Sequence, residues 1–260
     1  MQTYIIIPNY IVTEELKELA TNTIKSFRNS SKDIVIIAVD DGSPMDCTFL
    51  KKLSDIYIKN KENSGFAISC NNGFKRAFKE LGKKDGFIVC ANNDIEVFPG
   101  WQEAMQRPFI ELDNVAVSGI KHTKARDING QELKDIRGSK ITEGGLIGDC
   151  VQDGGLWMST KKVLKKVGIF DEQFIRGGYE DVDIFLRMRD TFGMKIIMSE
   201  ERIYWHKEGA TRWNCENNGF INNFGRESKS IEVENLEKFI RKWGFNPHQK
   251  QIWYSTEIKS

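Results

Sequence analysis

The chain has 260 residues, 38 of them basic and 37 acidic, for a net charge of +1. Hydrophobic residues make up 40% and charged residues 29%, which fits a globular protein with a real core and excludes an intrinsically disordered chain. The balanced charge gives no overall footprint for general nucleic-acid binding, and no apolar run reaches the length of a membrane span.

The five cysteines (Cys47, Cys70, Cys90, Cys150, Cys215) are scattered, odd in number and form no C-x-x-C pair. They read as small core residues in a reducing compartment rather than as a zinc site or a disulfide framework. Met1 to Pro8 enters a strand-like segment at once, with no basic leader and no small-residue cleavage site, so the expected location is cytoplasmic.

Tyr4 to Ile7 predicts a short strand stopped by Pro8. Leu16, Leu19, Ala20, Thr23, Ile24 and Phe27 then recur at helical spacing. Ile34 to Val39 is a continuous β-branched run, expected of a strand covered on both faces, and it ends in the turn residues Asp40-Asp41-Gly42-Ser43. A weaker strand follows at Ile56 and Ile58, a helix at Phe74, Ala77, Phe78 and Leu81, and a buried strand at Phe87 to Ala91. Strands alternating with helices predict an α/β fold on a mainly parallel sheet.

The second half changes character. Residues 120–149 are rich in Gly, Lys and Asp with little periodicity and predict a long functional loop. A helix is expected from about Glu180 through Val182, Phe185 and Leu186, and another near the C-terminus at Leu236, Phe239, Ile240 and Trp243.

Polar residues gather where strands end. Asp40 and Asp41 close one buried strand; Asn92, Asn93 and Asp94 close another. In a parallel sheet those ends meet at one rim, where oxygen ligands suit Mg²⁺ or Mn²⁺ on a diphosphate. Either cluster alone is ordinary turn chemistry. Asn63-Ser64-Gly65-Phe66-Ala67, followed by Asn71 and Gly73, adds a glycine just before a helix whose first amides are free donors. Taken alone, that segment is a helix cap with close helix–sheet packing.

These segments, with Gly168-Ile169-Phe170-Asp171-Glu172, Tyr179-Glu180-Asp181-Val182-Asp183 and Trp205-His206, resemble the family 2 glycosyltransferases of GT-A fold. The resemblance runs in family order over roughly residues 3–211. It implies a Rossmann-like central sheet with a C-terminal helical extension. The expected division is a nucleotide-sugar-binding half at 1–100, an acceptor-binding and catalytic half of the same domain at 101–230, and the extension at 231–260.

The resemblance also implies roles. Pro8, Asn9, Tyr10, Asp40, Asp41, Asn63, Gly65, Phe66, Asn71 and Asn93 would line the nucleotide pocket. Asp94 would hold a divalent ion, Mn²⁺ or Mg²⁺, at the last position of the family's D-x-D motif, with His206 as a second ligand. The first motif position departs from the family pattern, being Asn92. Asp181 would be the general base of an inverting transfer and Glu180 the group that orients the acceptor. Gly155, Trp157 and Gly178 would border the acceptor.

The donor would be a nucleoside-diphosphate sugar, with UDP the expected nucleotide. The acceptor needs a free hydroxyl, on a glycan, a modified nucleobase, a protein or a lipid-linked sugar. The aromatic and basic tail (Trp243, Phe245, Trp253 and Tyr254, with Arg241, Lys242 and Lys250) is a candidate acceptor flank or homo-oligomer contact. Two other readings compete. A sugar-nucleotide pyrophosphorylase would want a Gly-rich, Arg-containing loop after the first strand, where this chain has Pro8-Asn9-Tyr10-Ile11-Val12. A non-catalytic binding module of the same fold would have no need for both Asp94 and Asp181.

Overall fold

The computed structural model describes residues 1–123, 146–147, 154–207, 209–217 and 228–249. Its elements run β1 (Thr3–Asn9), α1 (Glu14–Ser30), β2 (Ile34–Asp40), α2 (Thr48–Leu53), β3 (Ile56–Lys59), α3 (Phe66–Leu81), β4 (Phe87–Ala91), β5 (Ile95–Val97), α4 (Trp101–Glu111) and β6 (Val115–Thr123). Then come β7 (Leu146–Ile147), β8 (Leu156–Thr160), α5 (Lys161–Val167), α6 (Glu180–Leu186), β9 (Lys195–His206), α7 (Ala210–Asn217) and α8 (Ser228–Trp243). A π-helical stretch, Arg187–Thr191, continues α6.

One sheet carries the molecule, in the order β3-β2-β1-β4-β8-β6-β9-β5, with β7 beside β9. The β3-β2-β1-β4 half is wholly parallel. Antiparallel β8 joins it to the parallel pair β6 and β9, and β5 and β7 run against β9. Tracing these senses, β1, β2, β3, β4, β6 and β9 point one way, so the sheet is mostly parallel, as the alternating pattern predicts.

Helices cover both faces. Ile5 and Ile7 of β1 face a core shared with α1, where Leu16, Ala20, Ile24 and Phe27 are buried. Ile6 points to the other face, against Ala67, Cys70, Phe74 and Ala77 of α3. This alternation explains why an unbroken Ile-Ile-Ile run suits a strand covered twice. Gly73 sits where a Cβ would collide with the Ile6 side chain, so this glycine lets α3 lie close on β1. Thr13 caps α1 by accepting from Leu16 N at 3.3 Å, a bond of the kind worth about 1 kcal/mol.

Pro8 does not end β1. The strand continues to Asn9, with Pro8 opposite Val39. Asn9 O accepts from Asp41 N, so the backbone of Asn9 faces β2 and that of Pro8 faces away. On that side the β4 ladder stops at Ile6, so the N–H that proline lacks removes no bond.

Of the expected loop 120–149, residues 120–123 end β6 and 146–147 form β7; the remainder lies outside the described residues, as do Lys250, Trp253 and Tyr254. α8 begins at Ser228 and so straddles the boundary expected at 231. No described helix is long and apolar enough to cross a membrane.

Candidate active site

The ends of β1, β2 and β4 open on a cavity of about 730 Å³. Pro8, Asn9 and Tyr10 come from the end of β1, and Asp41 from just past β2. Asn63, Gly65, Phe66 and Ser69 come from the start of α3, and Asn92, Asn93 and Asp94 from the β4–β5 turn. Gly154 and Gly155 precede β8. Arg176 to Gly178, Glu180 and Asp181 close a further side, together with His206. Ligands are expected at such strand ends in an open α/β sheet.

Asp41 organises one corner of the cavity. Its Oδ1 accepts from Asn60 Nδ2 at 2.8 Å and Ser64 N at 2.9 Å, and its Oδ2 from Gly65 N at 2.8 Å. One carboxylate thus satisfies the orphan amides that lead into α3. Gly65 has φ +92°, and a Cβ there would lie 2.5 Å from Arg176 Cα. Only glycine allows the segment around Arg176 to press against the start of α3.

Asp40 and Asn71 do not line the cavity. Asp40 Oδ1 accepts from Ser43 N at 2.9 Å and its Oδ2 from the Tyr57 hydroxyl at 2.7 Å, so it ties the turn together from behind. Burial, then that bond, raises the Tyr57 pKa. Asn71 donates to Phe170 O at 2.9 Å and accepts from Phe170 N at 3.0 Å, which clasps α3 to the segment after α5. Trp157 is also a structural residue. It is fully buried on β8, against Phe74, Phe170 and Phe185. Gly155 and Gly178, by contrast, do reach the cavity wall.

Asp94 and His206 meet because β9 returns antiparallel to β5, with Ile95 opposite His206. His206 Nε2 lies 3.2 Å from Asp94 Oδ1, and both side chains are buried. Among the described residues nothing donates a hydrogen bond to Asp94 Oδ1, although it is shielded from water. Ligands of one octahedral ion stand about 3 Å apart when each bond is about 2.1 Å, so this pair fits a small divalent ion. Asn92 Nδ2 sits 3.2 Å from the same ring nitrogen, so an amide stands where the family pattern has a carboxylate. Among the described residues no cluster of three or more His, Cys, Asp or Glu side chains could hold an ion. Among the described residues, Asp94 and His206 are the pair that would contribute to holding such an ion.

Glu180 and Asp181 open α6, one residue after Tyr179 at φ +73°. Gly154 lies so close to Asp181 that a Cβ there would come within 2.7 Å of Oδ2. Glu180 is buried, and its Oε2 has no hydrogen-bond partner among the described residues. Burial first, then the adjacent Asp181 charge, pushes the Glu180 pKa up to about 8. Asp183, on the far side of the helix, is bound instead by Arg187 Nε at 2.9 Å and Lys242 Nζ at 2.8 Å.

A family model, glycosyl transferase family 2, matches residues 4–168. The chain belongs to that family. Solved structures agree on the fold. The chain is similar to the crystal structure of GalNAc-T7 with UDP, GalNAc and Mn²⁺, at 15% identity and a TM-score of 0.60 over 79% of this chain and 43% of that one. It is also similar to S. aureus TarS 1–349, at 16% identity and a TM-score of 0.55 over 96% of this chain and 74% of that one. For TarS 1–349 in complex with UDP-GlcNAc the values are 14% and 0.54, over 79% and 58%. The chain thus spans less than half of the GalNAc-T7 chain. No curated protein matches its sequence. At these identities the likeness shows the fold, which is GT-A. The Glu180–Asp181 pair and His206 lie beyond the matched residues.

Several wall residues carry no motif. Thr211 and Cys215 of α7 and Ile231 and Glu232 of α8 also line the cavity. The sequence holds one usable signal for them: amphipathic helices that follow the last motif residue.

Proposed function

We propose that this glycosyltransferase moves a sugar from a UDP-sugar to an acceptor hydroxyl with inversion at the anomeric carbon. One observation carries the reading: a single cavity is lined by the Asp94–His206 pair, the Asp41-organised corner and the Glu180–Asp181 pair. The contents of the GalNAc-T7 and TarS structures, UDP and UDP-GlcNAc, support the choice of UDP for the donor.

Asn9, Tyr10, Asn63 and Phe66 border the corner available to the base and ribose, and Asp41 keeps its shape. Asp94 and His206 would hold a divalent ion, which supplies positive charge for the leaving diphosphate. Asp181 accepts the proton of the acceptor hydroxyl as that oxygen attacks the anomeric carbon. The carbon–oxygen bond to the diphosphate breaks and UDP departs. Glu180 keeps its proton near neutral pH and donates a hydrogen bond to the acceptor. Two neighbouring carboxyl groups thereby take two roles, as burial sets them apart.

The test is release of UDP from UDP-glucose, UDP-galactose, UDP-GlcNAc and UDP-GalNAc, with water as acceptor, with and without Mn²⁺. Slow, Mn²⁺-dependent release from at least one donor supports the reading, and nuclear magnetic resonance of the freed sugar should show inverted configuration. A chain that binds UDP but releases none of these sugars is a binding module.

A further inference from the structure

The base-bearing segment has an unusual backbone. Arg176, Gly177, Gly178 and Tyr179 all have positive φ, at +60°, +136°, +109° and +73°. For Arg176 and Tyr179 this is costly, and such conformations persist only where the surroundings over-determine them. Two residues later comes Asp181.

The restraint comes from α8. Asn235 is fully buried, yet it sits on the apolar stripe of that helix, one turn after Ile231 and one turn before Phe239, both also buried. Its amide makes three hydrogen bonds, all to one piece of backbone. Oδ1 accepts from Ile175 N at 3.1 Å, and Nδ2 donates to Ile175 O at 2.9 Å and Gly177 O at 3.1 Å. A buried amide on an apolar stripe costs stability unless it is satisfied, and here every bond goes to the turn that leads into Glu180 and Asp181. The stripe continues to the cavity, whose wall includes Ile231. On the far side of the segment, Gly65 bridges to Arg176.

We infer that Asn235 is a positioning residue that fixes the Glu180–Asp181 pair relative to the donor. This rests on the assignment of Asp181 as the base. The helix lies outside the matched family segment, so this chain's own C-terminal extension sets the catalytic geometry. An Asn at 235 suits the task because the target presents one N–H and two carbonyls, which neither Asp nor Leu can satisfy.

The test uses the full chain with Mn²⁺ and two variants, Asn235→Ala and the isosteric Asn235→Asp, which keeps the acceptor and loses both donors. Lys238→Ala, on the same helix, is the control, because it removes a bond to Gln173 O and leaves the 175–177 contacts intact. Amide hydrogen exchange over residues 174–181 should quicken in both Asn235 variants while β1 and β4 keep their protection. UDP affinity should hold, and kcat for UDP release from the UDP-sugars should fall about 10²-fold, as for a displaced catalytic group. Lys238→Ala should stay near the wild type. Unchanged exchange, or a lowered Tm with kcat per folded molecule intact, overturns the inference. Turnover that Asp181→Asn abolishes and Asn235→Ala spares defeats this inference alone. Turnover indifferent to Asp181→Asn defeats the assignment of the base instead.

Discussion

His206 Nε2 and Asp94 Oδ1 lie 3.2 Å apart although they are far apart in the chain, because β9 closes antiparallel on β5 with Lys207 N bonded to Asp94 O at 3.0 Å. The contact is held by backbone on both sides. It brings a carboxylate from the β4–β5 turn and an imidazole from the end of β9 together without a long loop.

Removing either partner should therefore separate metal binding from folding. Asp94→Ala is expected to abolish the Mn²⁺ dependence of UDP binding in calorimetry, with the chain still folded by circular dichroism. His206→Ala should weaken the same Mn²⁺-dependent affinity less. Equal Mn²⁺ dependence in the wild type and Asp94→Ala would remove Asp94 from the role.

Glu180 makes a pH prediction. Its pKa is raised in the folded chain from an ordinary value of 4.5 to about 8, so between those values the native state holds a proton that the unfolded chain gives up. The sign is negative: this group's contribution is full below 4.5 and is lost as pH rises through 8. Glu180→Gln removes that slope. Its thermal midpoint should gain on the wild type as pH rises through the window, and parallel curves would contradict the shift.

Trp157 makes a stability prediction. Emptying its place among Phe74, Phe170 and Phe185 should cost about 3–5 kcal/mol for Trp157→Ala in urea unfolding. Trp157→Phe should keep most of that stability and normal UDP affinity. A stable Trp157→Ala with a selective loss of transfer would instead put the indole at the acceptor.

Much of the architecture is legible in the sequence because strands covered on both faces leave β-branched runs, as in Ile34 to Val39, and helices leave a repeating stripe. Strand-end clusters could likewise be placed at one rim. The choice within a cluster is not legible. Asp40 and Asp41 are adjacent, and only the direction of the turn decides that Asp41 faces the cavity while Asp40 ties Ser43 and Tyr57. Asn71 and Trp157 carry polar or aromatic chemistry suited to a ligand, yet long-range packing uses both. Pro8 continues its strand because a neighbouring ladder happens to end at Ile6. Asn235 did leave a trace, a lone amide on an apolar stripe, but what it binds lies some 60 residues away.

The proposed role of Asp181 as the base that activates the attacking hydroxyl is tested by the rate of Mn²⁺-dependent UDP release from UDP-sugars by Asp181→Asn, compared with the wild type at saturating donor. The substitution keeps the side chain's shape and removes its basicity. If Asp181 is that base, UDP affinity should be unchanged and the rate lower by about 10²–10⁴-fold. A rate equal to that of the wild type would contradict it.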